Sequence, residues 1–273
     1  MGTVDVYRIT DRLDEATLDA LVSRLEARGK HPRFIEMMEQ YLDAMDIDSA
    51  STVLDLGCGT GVASRAIARR TGFAGRVIGI DRSPYLSAAA SRLAQEEGLG
   101  DVIEFRAGDS HSLGLADATF DAVVAHTLLS HVEDQLAVLK EIVRVVRPGG
   151  MVGIFDGDFA SMTLAVDEPA KAKAMDEMIV NAQVTNPRII REMPGLLREV
   201  GLERTASFAH VVADIGTADF FAPTLQALKR LLPKSGAMSE SDAGAWADAM
   251  MKRSEEGTYF AASNFYSYVA KRR

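Results

Sequence analysis

Apolar positions in the first fifty residues recur at helical spacing. Leu18, Leu21, Val22 and Leu25 fall on one face behind the acidic pair Asp14 and Glu15, and Phe34, Met38, Tyr41 and Met45 repeat the pattern beyond a Gly29-Lys30-His31-Pro32 break. From residue 53 the pattern changes. Apolar runs at 53–56, 75–81, 101–107, 120–125 and 151–155 read as strands, the first ones bounded by glycine or an acid. Between them lie helical patterns at 62–70 and 84–97 and the stripe Val132, Leu136, Leu139, Val143 and Val146. This alternation predicts an α/β fold with a parallel sheet. Further on, 168–181 reads as an added helix, Pro187 opens another that ends near Gly201, and 202–212 reads as a sixth strand. A helical stretch carrying Leu225, Leu228, Leu231 and Leu232 breaks at Pro233–Gly236 and resumes over 239–253, and the Tyr- and Phe-rich run 258–270 reads as a final strand.

Composition narrows the setting. The 273 residues carry a net charge of -9, which argues against a general nucleic-acid binder, since such a surface must be basic to displace counterions. The lone Cys58 excludes an internal disulfide and any zinc-ligand pattern, so a cytoplasmic, reducing setting is expected. No apolar run approaches the roughly 18 residues of a membrane span, residues 1–6 lack a signal-peptide core, and Val6 replaces the Ser/Thr of a myristoylation site.

The chemistry is announced by Val53-Leu54-Asp55-Leu56-Gly57-Cys58-Gly59-Thr60-Gly61, a buried strand running into alternating glycines and then a helix whose first amides would face a ligand over the turn. A dinucleotide fingerprint wants its third glycine at the sixth place, where Val62 stands, and no Gly-Lys-Ser/Thr ending supports a P-loop. The stretch resembles motif I of the class I S-adenosylmethionine-dependent methyltransferases, an acidic residue followed by Gly-x-Gly-x-Gly. Later segments keep the family's order: Asp81 at the tip of the second strand, Gly108-Asp109-Ser110 after the third, Phe120-Asp121-Ala122-Val123 opening the fourth, and Pro148-Gly149-Gly150 before the fifth. The resemblance covers about residues 50–157 well and the last strand more loosely.

It implies a Rossmann-like seven-stranded sheet, mostly parallel with the last strand antiparallel, and helices on both faces. A helical cap at 1–49 would precede the methyltransferase domain at 50–273, whose helical inserts at about 160–186 and 214–257 are candidate lids. The implied cofactor is S-adenosylmethionine, leaving as S-adenosylhomocysteine. Asp55, Gly57, Cys58, Gly59 and Gly61 would form its cradle. Asp81, 20 residues beyond Gly61, sits where a ribose presents its hydroxyls. Arg82 would lie along the adenine edge, and Gly108, Asp109 and Ser110 would read the base. Tyr7 is a candidate ring to cover the cofactor, and Arg33 a candidate cation for its carboxylate.

The implied reaction is an in-line displacement on a small organic acceptor at the tip of strand four, with O-, N- or C-methylation open. His126 and His131 are the candidate catalytic residues there, as base or as acceptor positioners, with His111 third; His126 also borders the cofactor. Asp156-x-Asp158 lacks a readable third ligand, so no metal is expected. Arg188 and Arg191 fit a solvated helix face better than an acceptor clamp, and Trp246 with the leucine stripe reads as lid or homodimer core. Two rivals remain: a quinone-pathway C-methyltransferase, and a non-catalytic S-adenosylmethionine-binding sensor or partner subunit.

Overall fold

The computed structural model describes residues 5–49, 51–165 and 169–273. The expectation drawn from residues 1–4, and the start of the helix expected from Glu168, lie outside them. A 3-10 segment, Val6–Arg12, leads into α1 (Glu15–Gly29), which Asp14 caps by accepting from the Thr17 amide, and α2 (Pro32–Met45) opens on a proline whose missing N–H costs nothing in a first turn. The alternating unit follows: β1 (Thr52–Leu56), α3 (Val62–Ala68), β2 (Arg76–Asp81), α4 (Pro84–Glu96), β3 (Ile103–Ala107), β4 (Phe120–His126), α5 (Gln135–Val145) and β5 (Val146–Leu164). Ser83 accepts from the Leu86 amide and so caps α4, with Pro84 beside it. The chain closes with α6 (Pro169–Gln183), α7 (Ile189–Glu199), β6 (Leu202–Gly216), α8 (Ala222–Lys234), α9 (Glu240–Glu255) and β7 (Tyr259–Arg272).

The strands form one sheet in the order β3-β2-β1-β4-β5-β7-β6, and β7 runs antiparallel to both its neighbours. Side chains alternate across it. Val53, Ala122 and Val124 point into a core with α2 and α3, while Leu54, Leu56, Val123 and Ala125 point into a second core with α5 and α7. Burial on both faces is why the sequence reads as unbroken apolar runs.

The C-terminal half departs from expectation in three ways. The fifth strand does not stop at Phe155 but continues to Leu164, because β7 pairs with it along Met151–Leu164, with a register shift after Asp158. Asp156 and Asp158 are therefore buried within a strand rather than displayed at its tip. β6 likewise extends to Gly216, laddered to β7 throughout. The 214–257 stretch does not reach the cofactor cleft: Ala227 and Leu231 of α8 join a small core with Leu18 and Leu21 of α1, and Leu225, Leu228, Leu232 and Trp246 are buried in the main core. The leucine stripe is thus spent within the chain rather than presented to a second copy.

α2 lies directly on β5, where a Cβ on Gly153 would collide with Met45 Sδ and press the Tyr41 ring at 3.1 Å. Gly153→Val is expected to destabilise the fold by about 1–3 kcal/mol through overpacking, read as a lower urea midpoint at unchanged slope.

Candidate functional site

The cleft lies over the carboxyl ends of β1, β2 and β4, with α1 and the Val6–Arg12 segment as its outer wall, and encloses about 650 Å³. That is within the roughly 300–1,000 Å³ of small-ligand sites. Gly57, Gly59 and Gly61 all hold left-handed φ, at +72°, +53° and +78°. They do not bare a row of amides. Gly57 and Cys58 donate to Ile80 O at 2.7 and 3.1 Å, Gly59 donates to Asp81 Oδ2 at 2.9 Å, and Gly61 donates to Cys58 O. The turn is a smooth wall, its Gly57, Cys58 and Gly59 donors satisfied by β2 and its Gly61 donor by the turn itself. Gly61 also falls outside the cleft lining. Its absent Cβ makes room for Phe105, whose Cζ would stand 2.5 Å away, so its task is packing α3 on the sheet rather than contact with a cofactor.

Asp81 fixes the wall and lines the cleft. Its Oδ1 accepts from the Ser83 amide at 2.8 Å and its Oδ2 from Gly59, while burial raises its pKa against those bonds. Asp55 is almost wholly buried. Its Oδ2 accepts from the Ser64 amide and hydroxyl, tying β1 to α3, and Oδ1 has no hydrogen-bond partner. Burial lifts this carboxyl to about 6. Cys58 lines the cleft as a small filler whose thiol pKa burial raises, so it is unreactive at neutral pH. At the far end Gly108, Asp109 and Ser110 line the cleft with Arg82. Asp109 is exposed and accepts from the His111 amide and ring, bonds that lower its pKa.

The two histidines prove to be unlike. His126 is buried, stacked on Phe155 at 4.5 Å between ring centroids and hydrogen-bonded through Nδ1 to the Tyr41 hydroxyl at 2.9 Å; burial, with Arg28 adding, drops its pKa to about 3. An imidazole so reluctant to take a proton borders the cleft without serving as its base. His131 Nδ1 instead donates to Asp5 Oδ2 at 2.8 Å, and its ring lies 4.7 Å from Tyr7. Asp5 is buried and also accepts from the Thr185 amide and hydroxyl and from the Tyr7 amide. A carboxylate thus fixes one ring nitrogen of a histidine that lines the cleft.

Arg33 is exposed on α2, outside the cleft, because the buried face of that helix belongs to Phe34, Met37 and Met38. Besides Arg8 and Arg82, the cleft is lined by two arginines one turn apart on α1, Arg24 and Arg28. They stand with Leu18, Leu21 and Leu25 on the inward stripe, and a cation on such a stripe is the signal that could have found them. Asp5 left no signal, since nothing in its local pattern foretells a partner 126 residues away. Arg191 clamps Asp158 through Nε at 3.0 Å to both oxygens, which removes both the metal reading and the acceptor-clamp reading of those residues. Among the described residues no cluster of three metal-ligating side chains occurs, and no helix is long and apolar enough to cross a membrane.

Residues 54–154 match the family described as a methyltransferase domain. A protein of transposon Tn4556 from Streptomyces fradiae is 28% identical over 266 residues, covering 97% of this chain and 75% of that protein. The sterol 24-C-methyltransferase erg6 of Aspergillus fumigatus is 38% identical over 119 residues, 43% of this chain and 31% of its own length, so the chain spans under a third of that relative. The [4+2]-cyclase SpnF shares the fold at a TM-score of 0.60 and 20% identity, covering 88% of this chain and 80% of that one. The glycine turn and the strand-two carboxylate both lie within residues 54–154, the stretch that matches the methyltransferase domain, and the sheet order brings them together at the cleft.

Two measurements follow from this geometry. Asp81→Ala should leave the far-UV circular dichroism unchanged and weaken S-adenosylhomocysteine binding by about tenfold or more in calorimetry, because a charged acceptor is lost from ligand and turn together. Asp55, whose folded pKa is raised, holds its proton more tightly folded than unfolded. Its contribution to stability is therefore greatest below about pH 4 and declines as pH rises to about 6. Asp55→Asn should abolish that decline in urea unfolding followed across the interval.

Proposed function

We propose that this protein transfers the methyl of S-adenosylmethionine to a small organic acceptor whose nucleophile arrives protonated, a phenol, alcohol or ammonium. The observation that carries this reading is the His131–Asp5 pair on the acceptor side of the cleft, held at 2.8 Å by a carboxylate with no solvent of its own. Fold alone does not select the reaction, since a [4+2]-cyclase shares it.

The cofactor, when bound, supplies an activated methyl on a sulfonium centre. The chain's residues fit it on three counts: the glycine turn leaves space where side chains would intrude, Asp81 stands ready for vicinal hydroxyls, and a guanidinium on α1 is available for a carboxylate. Asp5 keeps the His131 proton on Nδ1, so that Nε2 can take the acceptor's proton as the new bond forms. Thr127, just past β4, holds a strained φ of +57° and donates its amide to Phe155 O at 2.7 Å; its hydroxyl accepts from Arg28. Tyr7, Phe34 and Phe159 supply apolar walls that exclude water from the transfer.

A radiolabelled-methyl assay over phenols, alcohols and amines tests the reading. His131→Gln should cut turnover by about 10²- to 10⁴-fold while S-adenosylhomocysteine affinity holds. Asp5→Asn should fall between the two, its folding checked by thermal melting. A protein that binds the cofactor yet labels no acceptor, or a His131→Gln variant with full turnover, would remove the proposal.

A further inference from the structure

Arg24 and Arg28 present a charge problem that the cofactor alone does not solve. Arg24 is buried, and its guanidinium donates only to neutral oxygens, Tyr7 Oη at 3.2 Å and Gln183 Oε1 at 3.4 Å. Arg28 donates to Thr127 Oγ1 at 3.2 Å and lies 4.8 Å over the Phe34 ring. The Nε of each is buried without an acceptor, and no described carboxylate forms an ion pair with either. Neighbouring acids are already committed: Glu26 to Arg65 and Thr60, Asp5 to His131, Asp156 to the Ser130 amide. Two like charges one helical turn apart, one buried and the other half-buried, repel one another, and each costs desolvation.

S-adenosylmethionine brings one carboxylate and two positive centres, its ammonium and its sulfonium. One guanidinium can take that carboxylate; the other remains uncompensated next to a cation. Location divides the labour. Arg28 stands with Thr127 at the tip of β4, beside the glycine turn. The partners of Arg24 come from the Val6–Arg12 segment and from α6, elements added around the scaffold on the acceptor side. Tyr7, Phe159 and Val184 line the same end of the cleft and are apolar.

We propose that the methyl acceptor is a carboxylic acid with an apolar or aromatic body, its carboxylate held by the fork of Arg24. One planar guanidinium matches one carboxylate through paired N–H bonds, and the anion also offsets the sulfonium across the cleft. The inference rests on the methyltransferase reading and names the substrate class for that site.

The test is calorimetry on protein saturated with S-adenosylhomocysteine, using 4-hydroxybenzoate, phenylacetate and octanoate against their amides. At least one carboxylate should bind about tenfold or more tightly than its amide. Arg24→Gln should erase that preference and leave S-adenosylhomocysteine affinity near wild type, whereas Arg28→Gln should weaken S-adenosylhomocysteine itself. Arg24→Lys, which keeps the charge but not the fork, should retain part of the preference and carries the test if Arg24→Gln does not fold. Amides binding as tightly as carboxylates, no carboxylate binding at millimolar levels, or a preference that survives Arg24→Gln would overturn the inference with the methyltransferase reading intact. Wild-type protein that takes up no S-adenosylhomocysteine would remove both.

Discussion

The hydrogen bond from the Gly59 amide to the Asp81 carboxylate joins the two halves of the cleft. It fastens the turn after β1 to the tip of β2, and the bonds from Gly57 and Cys58 to Ile80 O draw the same two elements together. A left-handed turn of this kind is accommodated only without side chains, and the amides of Gly57, Cys58, Gly59 and Gly61 each have a partner that holds its shape. Ligand recognition then falls to groups around the turn rather than to the turn itself. The carboxylate serves both purposes: it fixes the wall, and it keeps lone pairs for hydroxyls that arrive beside it.

Charge is not uniform along the cleft. Asp81, Arg82 and Asp109 line one part of it, and Arg24 and Arg28 line the part where the Val6–Arg12 segment and α6 meet α1. α1 is held in place to deliver its arginines: Glu26 accepts from the Thr60 hydroxyl at 2.6 Å and pairs with buried Arg65 at 2.7 Å, so the helix is tied to the glycine turn it faces. Such a buried pair contributes orientation more dependably than stability.

The scaffold was legible because its strands are buried on both faces and must be written as apolar runs, and because glycine and acid mark where those runs stop. The helical pattern at 84–97 is matched by α4, which Ser83 caps. What pairwise spacing does not carry is the partner of a strand distant in sequence. Nothing around Asp156 says that β7 will extend the ladder past it, and nothing around Asp5 says that it will meet His131. Arg33 reads from the sequence as a cation for the cofactor's carboxylate, yet it lies outside the cleft; Arg24 and Arg28 line it, and the signal for them is the stripe they share with the leucines. The histidines looked equivalent by position, and only burial separates a stacked, proton-averse ring from one held by a carboxylate.

The two added regions answer to different demands. Phe159, Gln183 and Val184 border the cleft, so variation there would alter its shape. α8 closes over Leu18 and Leu21, one or two turns before Arg24 and Arg28 on the inward stripe of the same helix. Change in that region is constrained by the need to keep α1 seated, and a chain pared down to the bare sheet and its flanking helices would lose the support that aims its cations.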